Sequence, residues 1–344
     1  MLSYNILVLL GFPPVRLGGL SQIGGVVRLD IERKTERPAV DTGADPGTET
    51  FEKHRRRLFG LAYRMLGSVG DAEDAVQDTY LRWHRTDRSL VQTPEAWLVT
   101  ACTRICIDRL RAAKLERENY PGTWLPEPLV ELEVSPLPNA EDAHEMADDL
   151  SMAMLMVMER LTPAERAAYL LREAFDYDYP QIAVALKKSE AACRQLVSRA
   201  QKHLKDARPR FEADEAAARA LAQKFAAATK AGDLSLFAGL LAEDAMLWSD
   251  GGGKASAAIN VIHGPDKIAR FFVGISNKIP ADIRRVFAMI NGQPGWILFD
   301  GDAPYLALAM DIAKTERGES LRNVFILRNP DKLARLRAYA PQAI

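Results

Sequence analysis

The feature that most constrains this 344-residue chain is a change of hydrophobic period along it. From Phe51 to about Leu204, apolar residues recur at three and four positions, the spacing of amphipathic helices. From Met246 onward they come as short runs between Gly and Pro turns, such as residues 296–299, 305–312 and 321–327, which read as strands. Helices followed by strands imply an all-α portion and a separate α+β domain.

Leu58, Leu61, Ala62, Met65 and Leu66 predict a first helix that Gly67 stops. A second follows the Ser68-Val69-Gly70 turn with Asp71 as its cap, burying Ala72, Ala75, Val76, Thr79, Tyr80 and Trp83 and leaving its other face acidic. A third starts at Thr93-Pro94-Glu95, capped by Thr93, and runs through Trp97, read as core, to Leu110. Residues 1–48 lack a sustained period, end in a turn-rich stretch, and read as a disordered extension. The expected divisions are then a helical module at 49–116, an acidic Pro-rich linker at 117–140, a second helical module at 141–210 and the α+β domain at 211–344. Met152, Met154, Met156 and Met158 read as helical core rather than a binding groove.

The formal net charge of −1 argues against a uniformly basic nucleic-acid binder, but the charges are segregated. Nine acidic residues and no Lys or Arg lie between Glu118 and Leu150, whereas residues 187–210 hold eight basic residues against two acidic ones. Cys102, Cys106 and Cys193 form no disulfide or metal-ligand spacing, which suits a reducing compartment. The apolar run Ile6 to Pro13 fits neither a signal peptide nor a membrane span, so a cytoplasmic location is expected.

The firmest local signal lies between Tyr179 and Leu204. Ile182, Ala183 and Leu186 form one short apolar helix, Lys187-Lys188-Ser189 the turn, and Ala192, Leu196, Val197 and Ala200 the inner face of a second helix. This is helix-turn-helix spacing. It leaves Glu190, Arg194, Gln195, Ser198, Arg199 and Lys202 outward, side chains that reach base edges and phosphates, with Arg194 and Gln195 the base-reading candidates.

These residues together resemble the extracytoplasmic-function group of the sigma-70 family. Asp71-Ala72-Glu73-Asp74-Ala75-Val76-Gln77-Asp78-Thr79-Tyr80-Leu81 is similar to region 2.2; Pro94-Glu95-Ala96-Trp97-Leu98 with Asp108-Arg109-Leu110-Arg111 is similar to regions 2.3 and 2.4. Leu161-Thr162-Pro163-Ala164-Glu165-Arg166 and the helix-turn-helix resemble region 4. The resemblance implies that Asp71, Glu73, Asp74, Gln77, Asp78 and Leu81 dock on the β′ clamp helices of core RNA polymerase, with the acidic linker also lying in the polymerase and the β subunit a further partner. It implies that Arg104, Arg109 and Arg111 hold the minus-ten element of promoter DNA and that the recognition helix reads the minus-thirty-five element. Two departures stand out: Arg104 occupies a position where many relatives have Asn, and Lys187 one where many have Gly.

Trp124-Leu125-Pro126-Glu127-Pro128, Asp250-Gly251-Gly252-Gly253-Lys254 and Asn329-Pro330-Asp331-Lys332-Leu333 resemble signatures of the subgroup with a fused SnoaL-like extension, an α+β cone. That resemblance implies that the glycine-rich turn meets the Trp124–Pro128 segment and that the domain tunes promoter binding in cis, in place of a separate anti-sigma protein. Asp250, His263 and Asp300 are candidate acids or bases without a legible partner, and the Gly-Gly-Gly-Lys run lacks Walker-loop spacing. No catalytic residue, cofactor, metal or membrane contact is therefore expected. The competing readings are an enzyme with a DNA tether and a conventional repressor or activator.

Overall fold

The computed structural model describes residues 45–131, 151–205, 215–276, 278–280, 282–316 and 318–340. Residues 1–44 of the expected N-terminal extension and residues 132–140 of the acidic linker lie outside them. Four helices come first: α1 (Pro46–Leu66), α2 (Val69–His84), α3 (Pro94–Ala112) and α4 (Lys114–Glu118). An extended segment ends in β1 (Val130–Glu131), and the second helical module comprises α5 (Met152–Met158), α6 (Pro163–Glu173), α7 (Tyr179–Leu186) and α8 (Glu190–Leu204).

The start of α1 corrects the sequence reading, which placed residues 46–48 in the extension. Asp45 accepts a hydrogen bond from the Gly47 N–H and Pro46 takes the first helical position, so the Asp-Pro pair is a helix start rather than a turn. The Gly47 carbonyl then accepts from the Trp83 indole at 2.7 Å. The cap of α2 is Ser68, whose hydroxyl accepts from the Asp71 N–H; Asp71 sits in the first turn, where its charge suits the helix dipole. Thr93 occupies the N-cap of α3 without a side-chain cap bond.

Both helical modules share one continuous apolar core, running from Phe51 and Leu58 through Leu98 and Ile105 to Met158, Leu170 and Leu196. Each fully buried side chain of this size contributes about 1.5–3 kcal/mol. Met152, Met154 and Met158 are buried, so the methionine run is core. Helix α7 ends on Lys187 in the left-handed region, φ 52°, where the Schellman-type bond from Lys188 N–H to Ala183 O closes it. Since a side chain at such a position costs about 1 kcal/mol relative to Gly, Lys187→Gly is expected to raise the melting temperature by about 2 °C. An unchanged or lower value would show that the lysine stem makes a compensating contact.

The C-terminal portion contains α9 (Glu215–Ala231), α10 (Leu234–Ala238), β2 (Leu241–Asp250), β3 (Ile262–His263), α11 (Pro265–Ser276), β4 (Arg284–Ile290), β5 (Gln293–Asp300), β6 (Ala303–Thr315), β7 (Gly318–Leu327), α12 (Pro330–Leu333) and a 3-10 turn at Ala334–Tyr339. The sheet order is β1-β4-β5-β6-β7-β2-β3, antiparallel except for the parallel β2–β7 pair. One face packs on α9, α10 and α11 through Phe225, Phe237 and Phe272, whose ring centroids lie 4.8–5.0 Å apart. The other face, with Ile290, Phe299, Phe325 and Leu327, buries Leu125, Met152, Leu333 and Leu336. The α+β expectation therefore holds, and the sheet's second face supplies the surface on which the helical modules are joined to it.

Candidate functional site

Asp250 ends β2, fully buried, and its carboxylate gathers groups from three parts of the chain. Oδ1 accepts from the Tyr120 hydroxyl at 2.7 Å and the Gly252 N–H at 2.9 Å; Oδ2 accepts from the Leu125 N–H at 2.9 Å and Lys332 Nζ at 2.7 Å. Burial, reinforced by the Asp250 carboxylate, raises the Tyr120 phenol far above its usual range, so it stays a donor. Burial lowers the Lys332 ammonium, and Asp250 opposes that shift. Asn329 donates to the Tyr120 oxygen at 2.8 Å, and Lys254 pairs with Asp331 at 2.5 Å. All three sequence signatures thus converge on one clamp.

The glycines of the turn are sterically required. A Cβ on Gly251 would lie 2.1 Å from the Ala255 carbonyl oxygen, and Gly252, at φ 60°, abuts the Asn329 amide. Gly253 faces the ring of Pro121, which lies ahead of the Trp124–Pro128 segment that the resemblance named.

The Trp124–Pro128 segment reaches the first helical module as well. The Trp124 ring meets two cations, the Arg117 guanidinium 4.4 Å from its centroid and Lys332 Nζ at 4.1 Å. Glu127 accepts from the Val69 N–H at 2.8 Å at the start of α2, while its own N–H donates to Gly67 O. Buried Tyr63 donates to Glu127 O at 2.6 Å and accepts from Asn291 on the β4–β5 turn. Leu125, Pro126, Glu127 and Pro128 are all buried.

The acidic face of α2 is exposed at Asp71, Glu73, Asp74, Gln77 and Leu81. Three acids of α2 nevertheless have partners beyond it: Arg335 holds Glu73 through contacts of 3.0 and 2.6 Å, and Arg109 lies 2.8 Å from Asp78 and 3.7 Å from Asp74. Arg109, expected to contact the minus-ten element, turns toward α2 here. Arg104 differs too: its Nε and Nη2 donate to Ala185 O at 2.9 Å and Val184 O at 2.7 Å, where the negative end of the α7 dipole favours a cation. Arg111 alone of the three is fully outward, pairing with Asp108 at 3.3 Å.

On α8, Glu190, Arg194, Gln195, Ser198, Arg199 and Lys202 are exposed, forming one outward face. Arg194 lies 4.7 Å from the Tyr179 ring centroid and pairs with Glu190, while Arg199 reaches back to Glu165, the capping-box residue of α6, at 2.6 Å. Beside α3 a cavity of about 430 Å³ is lined by Thr86, Asp87, Leu90, Gln92, Thr93 and Trp97, so Trp97 is half core and half wall. His263 and Asp300 are exposed and far apart in the sheet order. Among the described residues no cluster of metal-ligating side chains is present and no helix is long and apolar enough to cross a membrane. The three cysteines are buried thiols.

Sequence reasoning missed Arg117, Tyr120, Glu159, Arg166 and Arg335. A Tyr and an Arg on either side of a linker start carry no local pattern; their partners lie in other modules.

Residues 50–116 match the family model described as Sigma-70 region 2, and residues 151–204 that described as Sigma-70, region 4. The chain is 37% identical over 288 residues to the ECF RNA polymerase sigma factor SigJ of Mycobacterium tuberculosis, covering 82% of this chain and 91% of that protein. It is 29% identical over 321 residues to SigG of the same organism, covering 82% of each. The crystal structure of Mycobacterium tuberculosis SigJ superposes with a TM-score of 0.65 at 33% identity, covering 83% of this chain and 98% of that one.

Proposed function

Since the chain belongs to the extracytoplasmic-function group of the sigma-70 family, we propose that it binds core RNA polymerase, directs it to promoters and opens them, with its C-terminal domain tuning that activity in cis. The observation that carries the cis reading is the Asp250 clamp, which ties the α+β domain to the linker between the two helical modules. The acids of α2, with Leu81 beside them, suit docking on a basic surface of the polymerase. The outward face of α8 suits the major groove of the minus-thirty-five element, with Arg194 and Gln195 as base readers.

For the minus-ten strand, the open groove beside Trp97, with Leu90 80% exposed at its rim, offers an aromatic and apolar surface against which an unstacked base can lie. Arg111 is placed for phosphate; Arg104 and Arg109 join it once their present partners are released. The two promoter elements lie roughly 25 base pairs apart, about 85 Å of duplex at 3.4 Å per pair. Arg104 on α3 meanwhile touches α7 directly. The arrangement described here is therefore that of the factor off the promoter, and the modules separate on DNA.

Sigma factors are not enzymes, and the proposal extends this to the strand domain, where Asp250 is a structural clamp and His263 and Asp300 stand apart. A soluble cytoplasmic protein that works without a separate anti-sigma partner completes the reading. The test is in vitro transcription from the gene's own upstream region with purified core polymerase. Arg194→Ala with Gln195→Ala is expected to lower specific transcript by tenfold or more, since each base contact carries about 1–3 kcal/mol. Tight duplex binding without core and no transcript from any promoter would instead point to a conventional regulator.

A further inference from the structure

At the C-terminus of α1, two arginines meet the last carbonyls of the helix. Arg166 of α6 donates to Met65 O at 2.6 Å, and Arg117 of α4 to Leu66 O at 2.5 Å. Glu159, just after α5, pairs with both, with Arg166 at 2.7 Å and with Arg117 in a short contact. One carboxylate thus joins a cation of the first helical module to a cation of the second. Burial pushes the Glu159 carboxyl up, but the two guanidinium groups outweigh it and hold it below the usual range, so it is charged.

Arg117 also lies against the Trp124 ring, as does Lys332 of the C-terminal domain. An unbroken path of contacts therefore runs from Asp250 through Lys332, Trp124, Arg117 and Glu159 to Arg166 and the Met65 carbonyl. Two cations against one ring repel each other unless each has its own anion. Asp250 serves Lys332, and Glu159 serves Arg117. Buried ion clusters gain little over their hydrated state because desolvation offsets the Coulomb term, so a seam built around one parts more readily than an all-apolar one.

We propose that Glu159 is a positioning residue through which the C-terminal domain sets how firmly the second helical module is held on the first. Its carboxylate ties Arg166 to Arg117, and Arg117 is in turn fixed by the Trp124 ring that Lys332 also holds. This rests on the cis-tuning reading and names its path. The competing path is the apolar contact of Leu125 and Met152 with the sheet, which would act independently of Glu159.

The test uses the full-length protein with spin labels at Ser89→Cys and Ala191→Cys, both exposed, the native cysteines being buried. Pulsed electron resonance then reads the distance between modules in the wild type, Glu159→Gln, Lys332→Met and the double variant. Each single change is expected to raise the open-to-closed ratio about tenfold, with the double variant no more open than either single, because residues on one coupled path are strongly non-additive. Independent, multiplicative effects would overturn the path, as would an unchanged distance distribution in Glu159→Gln. Should Glu159→Gln fail to fold, Arg117→Met replaces it in the same cycle. If Lys332→Met leaves transcription unchanged, cis tuning itself fails; if it alters transcription while remaining independent of Glu159→Gln, the path alone fails.

Discussion

Asp250→Ala is expected to lower the melting temperature of the full-length protein by about 10 °C and to change promoter output sharply. The carboxylate is fully buried and accepts four hydrogen bonds, one of them from the partly buried Lys332 ammonium. Removing it leaves that cation without its anion, and breaking one partner of a buried ion pair costs about 3–5 kcal/mol. At about 2–4 °C per kcal/mol for a chain of this size, the shift follows. Asp250→Asn keeps an acceptor oxygen but loses the charge, and recovers part of the loss. Differential scanning calorimetry decides: a shift within 2 °C would mean that the clamp is not what joins the domains. Since the tryptophan stack and the Leu125 backbone both depend on this carboxylate, the same variant unties the linker from β2 while leaving the outward face of α8 untouched.

What was legible in the sequence is what is local. The helix-turn-helix could be read because its apolar spacing, its turn and its outward side chains all lie within 26 residues, from Tyr179 to Leu204. Helix ends could be read to within a few residues, and the misses there have a common cause: Asp45-Pro46 and Ser68 use residues that serve turns and caps equally well, so only the hydrogen bond they make tells them apart. The three signatures were recognised by resemblance, but their convergence on Asp250 needed the fold. The intramolecular partners of Arg104 and Arg109 were not legible, because Val184, Ala185, Asp74 and Asp78 lie from 31 to 81 positions away. Charge in a sequence names candidates; whether a cation faces DNA or a neighbouring helix is set by tertiary packing.

Gly67 carries the second large expected effect, because it serves two functions at one backbone position. It ends α1 in the left-handed region at φ 67°, its N–H bonded to Tyr63 O at 2.7 Å. An added Cβ would also lie 2.6 Å from the Trp124 ring, with the Glu159 carboxylate just beyond at 3.7 Å. Gly67→Ala therefore incurs about 1 kcal/mol for the backbone conformation and displaces a ring held by two cations, each contact worth about 0.5–2 kcal/mol. A total of about 2–4 kcal/mol is expected, read as a fall of about 5–10 °C in melting temperature. The two parts are separable. In a Trp124→Ala background the ring is gone and only the backbone cost remains, so Gly67→Ala should then lower the melting temperature by about 2–4 °C from that background's own value. Equal losses in both backgrounds would mean that Gly67 is simply a helix cap. A smaller loss without the tryptophan means that the end of α1 is shaped to seat the residue that joins the helical modules to the C-terminal domain.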